Sequence, residues 1–207
     1  LEQICDWESV RDILLNDEAR LSTLAGEKIG CYCQHCRADF KREHGVDPPM
    51  ERDPESQVWW DWIHYRTDRW TEIHVEARMR VKSIRPEIRL GRNHNGYDFS
   101  FVENPVTSAV NLAREAESLD VVSSNAYHGF HSWQFTGPDY MPARRYVAEV
   151  VRLMRGVALD KPVNIRAQGF MPASSSVLEM TGRDGLLAGC VPYCLGAETV
   201  TAFTYEL

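Results

Sequence analysis

Short β-branched runs alternate along this chain with long segments of helical period, and that alternation restricts the fold more than any other feature. The runs are residues 10–16 (VRDILLN), 88–91, 119–126 (LDVVSSNA), 163–170 (VNIRAQGF, opened by Lys161-Pro162) and 199–205 (TVTAFTY). Between them, apolar spacing predicts helices over 56–84, 107–118, 141–156 and 185–195. The longest has Asp53-Pro54 as its start signal, and its stripe runs through Trp59, Trp62, Ile63, Trp70, Ile73, Ala77, Val81 and Ile84. Arg85-Pro86 stops it. Strand and helix repeated four times, with a closing strand, implies parallel strands and right-handed crossovers, an α/β architecture.

Polar residues cluster just after each run: Asp17 and Glu18, then Asn93, His94 and Asn95, then Asn125, Tyr127 and His128, then Gln168, then Glu206. In a (β/α) barrel the active site forms at those strand ends. A doubly wound sheet also binds there, but its Gly-rich loop after the first strand is missing, which favours a TIM-barrel type. There is no linker, repeat or low-complexity tract. At 207 residues with 43% hydrophobic content, residues 1–207 are expected to form a single domain.

The net charge of −7 argues against a duplex nucleic-acid partner, whose affinity would rest on basic surface. No apolar run approaches the roughly 20 residues of a membrane span. A start at Leu1 carries no secretion leader and leads to the expectation of a missing N-terminal segment.

Cys31, Cys33 and Cys36 crowd into C-Y-C-Q-H-C, within a cysteine-rich loop expected at 29–45. Sulfurs this close suit a metal better than a disulfide framework, and three thiolates ask for a fourth N or S ligand around zinc. Cys5, His35 and His44 are the candidates. The alternative, three unligated thiols on an exposed loop, is an oxidative liability. The site reads as structural, and cysteine usage favours a reducing, cytoplasmic setting. Cys190 and Cys194, beside Gly189 and Gly196, read as buried packing residues.

A carboxylate such as Glu18, at the end of a buried strand, can have its pKa raised enough to act as a general acid. The plainer reading of Asp17-Glu18 is an acidic pair at a helix N-terminus. Trp133, in a loop near the strand ends, suits stacking on a sugar face. The other tryptophans belong to the apolar stripe. His64 and His74 are expected on the surface of the long helix.

The run G-C-Y-C-Q-H-C-R-A-D-F after an acidic strand end, followed by the Trp-rich helix, resembles the zinc-binding β-galactosidases and their relatives among clan A glycoside hydrolases. The resemblance implies an acid/base role for Glu18 and zinc ligation by Cys31, Cys33 and Cys36. It makes S-S-N-A-Y-H the sixth barrel strand, K-P-V-N-I-R-A-Q the seventh and G-A-E-T-V-T-A-F-T-Y-E the eighth, so that strands four to eight are present. From their places at the strand ends or in the loop beyond, Asp17, Asn93, His94, Asn125, Tyr127, His128, Trp133, Gln168 and Glu206 are expected to bind substrate. The family's nucleophilic Glu ends the seventh strand, where this chain has Gln168. Glutamine cannot form a glycosyl ester, so the retaining two-carboxylate mechanism lacks a member at that place.

Three functions follow as expectations. One is a glycoside hydrolase acting on β-linked carbohydrate, with Asp98 or Glu206 as an inverting base. The second is a carbohydrate-binding relative without turnover, and the third is a zinc-stabilised interaction module. Five strands without closure leave two open edges, which predicts self-association or further barrel units.

Overall fold

The computed structural model describes residues 2–16, 31–94, 106, 108–127, 143–168 and 182–203. A short helix α1 (Glu2–Cys5) leads to β1 (Asp12–Leu15). Next come α2 (Gln34–His44), α3 (Gln57–Ile84) and β2 (Arg89–His94). They are followed by α4 (Leu112–Ser118), β3 (Val121–Ala126), α5 (Ala143–Ala158), β4 (Val163–Gln168), α6 (Gly182–Cys194) and β5 (Thr199–Phe203). The five strands form one parallel sheet in the order β1-β2-β3-β4-β5, so each new strand joins beside the last. This is the strand and helix arrangement of a partial (β/α) barrel. The sheet is curled: Arg89 of β2 donates to Glu198, just before β5, at 2.8 Å, although two strands lie between.

Alternation along each strand sorts its side chains between the helix layer and the inner face. Val122 and Ala126 of β3 and Val163 and Ile165 of β4 pack with Val147, Val150, Val151 and Met154 of α5 in the main core. Leu90 and Ile13 pack outward with Val81, Ile88 and Leu119. The intervening residues face inward: Asn93 on β2, Ser123 and Asn125 on β3, and Asn164, Arg166 and Gln168 on β4. Gly91 also faces inward, where a Cβ would stand 2.7 Å from Leu14 Cδ2 and 2.7 Å from the Val121 carbonyl oxygen. The strands approach too closely there for any side chain.

The long helix α3 buries Trp59, Trp62, Ile63, Tyr65, Arg66, Trp70 and His74 along one side, and Val81 two turns beyond His74. Two expectations are corrected on it. Ile73 is 48% exposed and His74 is buried. His74 takes an inward place, meeting Trp70 edge-on at 4.9 Å and lying close enough to Arg92 of β2 to feel its charge. His64 is exposed, as expected. Arg78 and Lys82 of α3 clamp Asp120, at the start of β3, at 2.7 and 3.0 Å, and its carboxylate also accepts the Leu90 amide. At the end of α4, one ammonium, Lys161 Nζ, donates to the carbonyls of Ala116, Glu117 and Leu119 at 2.5, 2.8 and 2.8 Å.

Two further expectations change. Residues 29–45 are not a loop throughout, because α2 begins at Gln34. Cys190 and Cys194 are exposed rather than buried. Among the described residues no helix is long and apolar enough to cross a membrane.

Candidate functional site

The sequence places the end of the second strand at Gly91, so that Asn93 and His94 would share the loop that follows. The strand instead continues through His94. Inside a strand, neighbours point to opposite faces, so only one of the two can reach the inner face. Asn93 does. His94 faces the helix layer, fully buried beside Arg92 and Glu115, and its assignment to the binding face is corrected.

On the inner face Asn93 Nδ2 donates to Asn125 Oδ1 at 2.6 Å, and Ser123 Oγ donates to Asn93 Oδ1 at 3.1 Å. All three are buried. Tyr127, at the end of β3, and Gln168, at the end of β4, are also buried, 8% and 4% exposed. The structure therefore brings Asn93 and Asn125 into direct contact and sets Tyr127 and Gln168 at the C-terminal ends of adjacent strands. The amides and the serine hydroxyl among them hold no group that titrates near neutral pH. They can donate to and accept from hydroxyls, but acid–base chemistry must come from elsewhere. Two carboxylates near the base, Asp12 and Glu198, are already held by Arg89 at the N-terminal end of the sheet. Asp17, Glu18, Asp98, His128, Trp133 and Glu206 lie outside the described residues.

Ser123, Asn164 and Arg166 belong to the same face and were absent from the sequence reading. Period-two alternation would have found them once the strand limits were known.

Behind this face lies a second polar cluster. Arg92 Nη1 donates to Glu115 Oε2 at 2.6 Å, its guanidinium stands 5.2 Å over the Trp70 ring, and His94 Nδ1 is 3.8 Å from the same carboxylate oxygen. Burial, and next the Arg92 charge, holds the His74 imidazole down to about 4. The same two causes, followed by His74, hold His94 well below the usual histidine range. Both rings are neutral at pH 7.

The third constellation is the cysteine cluster. Cys31, Cys33 and Cys36 bring their sulfurs within 4.8 Å of one another, against the N-terminal half of α3. Tyr32 packs on Trp62 at 5.2 Å and donates to the Pro49 carbonyl at 2.7 Å, which fixes the segment. The Cys36 backbone amide, and then the Cys31 and Cys36 thiols, lower the Cys33 thiol to about 7. Burial, followed by the neighbouring sulfurs, raises Cys36 to about 12. Three converging soft donors fit a zinc-like cation. The proposed fourth ligands do not join them among the described residues. Cys5 packs with Val81 and Ile88, and the 19 residues from Trp62 to Val81 span about 28 Å of helix axis. His44 stacks on Phe40 at 4.3 Å, two turns along α2 from Cys36.

A comparison with protein-family models gives no match, and a comparison with curated protein sequences gives none either. Solved structures do match. The chain is similar to the glycoside hydrolase domain of PgaB (BpsB) from Bordetella bronchiseptica, with a TM-score of 0.71 at 13% identity over 98% of this chain and 54% of that one. It is similar to a β-galactosidase from Halorubrum lacusprofundi, with a TM-score of 0.69 at 18% identity over 99% of this chain and 34% of that one. It is also similar to a β-galactosidase from Bacillus circulans sp. alkalophilus, with a TM-score of 0.63 at 18% identity, covering 98% and 32%. The chain thus has a glycoside hydrolase-like fold and spans about half, or a third, of the structures it matches.

Proposed function

We propose that residues 1–207 form one partial (β/α) barrel domain, equivalent to strands four to eight, that binds β-linked carbohydrate. Glu18 is its general acid/base. The observation that carries this reading is the inner face, where Asn93, Ser123, Asn125 and Gln168 present neutral donors and acceptors in a fold shared with glycoside hydrolases. Glu18 follows β1, the place from which a strand-end carboxylate reaches that face. There it protonates the leaving glycosidic oxygen, for which a raised pKa is needed at neutral pH. Gln168 hydrogen-bonds a sugar hydroxyl but cannot attack the anomeric carbon. Turnover therefore requires a second carboxylate, Asp98 or Glu206, about 6.5 to 9.5 Å from Glu18 in an inverting pair. Cys31, Cys33 and Cys36 hold a zinc ion that braces the segment between β1 and α3.

A second reading, carbohydrate binding without turnover, is favoured by one residue: glutamine at 168. The test is a titration of the full chain with β-linked galactosides, paired with a hydrolysis assay. Binding should be measurable and hydrolysis weak or absent, with any residual turnover lost in Glu18→Gln. Efficient retaining hydrolysis that survives Glu18→Gln would overturn the assignment.

A further inference from the structure

Three sheet arginines can be compared. Arg89 holds Asp12 and Glu198, and Arg92 holds Glu115. Arg166, on β4, has no carboxylate within ion-pairing distance among the described residues, although it is only partly exposed. Val163 and Ile165 are in the core against α5, so Arg166 is on the inner face. Its register partners are Asn125 on β3 and Thr201 on β5, and Asn164 lies two residues below it on the same strand. Above the Arg89 base, the described inner face carries Leu14 and Val121 at the level of Gly91 and, beyond them, amides and hydroxyls around a single cation.

A guanidinium is charged at every relevant pH and presents a planar fork of donors that matches a carboxylate in two parallel bonds. Partly withdrawn from water and without a counter-ion among the described residues, it is matched best by an anion that arrives with the ligand. The amides and hydroxyl around it suit the hydroxyls of the same ring.

Resting on the carbohydrate reading above, we propose that the ligand is an acidic saccharide, and that Arg166 receives the carboxylate of a uronic acid residue. Neutral sugars occupy the same face without that contact and bind more weakly.

The experiment is calorimetric titration of the full chain with two β-linked disaccharides of the same linkage, glucuronosyl-glucose and glucosyl-glucose, with acetate as a non-sugar anion. The wild-type chain should bind the acidic disaccharide about 10-fold tighter or better, as a charge-assisted contact implies. That preference should shrink as salt is raised. Arg166→Gln should abolish the preference while neutral affinity stays within about 2-fold, and Arg166→Lys should keep part of it. Equal affinity for the two disaccharides, or a preference that persists in Arg166→Gln, overturns the proposal and leaves the carbohydrate reading standing. Acetate competing as well as the acidic disaccharide also overturns it, since the site would then be a plain anion site. Failure of both disaccharides to bind the wild-type chain overturns the carbohydrate reading itself. If Arg166→Gln does not fold, the salt dependence of the wild-type preference and the Arg166→Lys ratio decide.

Discussion

Arg92 on β2 and Glu115 on α4 meet at 2.6 Å with 1% and 0% of their side chains exposed. A pair so deeply withdrawn from water joins sheet to helix, yet each member is costly if left alone. Glu115→Leu should therefore destabilise the fold by about 3 to 5 kcal/mol, seen as a lower urea midpoint. Adding Arg92→Met should recover most of that loss, because an apolar pair of similar volume removes the stranded charge. A double variant no more stable than Glu115→Leu would refute this account.

Acid should weaken the same region. The His74 pKa is about 4 in the folded chain, against an ordinary value of 6.5, and His94 shifts the same way. The folded pKa lies below the unfolded one, so the unfolded chain takes up these protons first as pH falls. Stability is full above pH 6.5 and declines between pH 6.5 and 4, by at most about 1.4 kcal/mol per pH unit for each ring. Urea midpoints measured across that window should fall less steeply in His74→Phe than in the parent. An unchanged slope would mean that His74 is not held neutral by the fold.

Gly91→Ala should destabilise by about 1 to 3 kcal/mol, since the added methyl meets the Val121 carbonyl as well as the Leu14 side chain. Trimming the neighbour with Leu14→Ala should not rescue it, because the carbonyl is backbone. Denaturation of the single and double variants measures this directly.

The cysteine cluster predicts about one zinc per chain in protein purified without added metal, measured by elemental analysis. Cys33→Ser should lower Tm by several degrees and lower saccharide affinity little, as a structural site requires. Absence of metal from fully reduced protein would remove the assignment.

Apart from α1 and α2, element types were legible in the sequence because strand runs and helical stripes have different periods and do not overlap here. Strand ends were less legible, and the error at β2 shows its cost. Extending that strand from Gly91 to His94 moves His94 from the binding face to the helix layer, because one residue of register reverses the side. Asn93 and Asn125 were found by their residue type, and their pairing required the sheet. Arg166 escaped notice because nothing in a sequence marks an arginine that has no carboxylate beside it among the described residues. Cys190 and Cys194 were misplaced because α6 carries Leu186, Leu187, Ala188, Val191 and Tyr193 around much of its circumference, so periodicity selects no buried side. His74 hid inside a tryptophan stripe, where a titratable residue reads as surface.

Lys161 gathers carbonyls from Ala116, Glu117 and Leu119 onto one ammonium, joining stretches up to 45 residues apart. The end of α4, the entry to β3 and the entry to β4 are thereby fastened at a single nitrogen atom. A modification that removes that charge, such as acetylation, would release all three carbonyls together rather than in turn. Amide hydrogens in α4 and at the starts of β3 and β4 should then exchange as one unit, with a common opening free energy, while the distant end of β1 keeps its own pace.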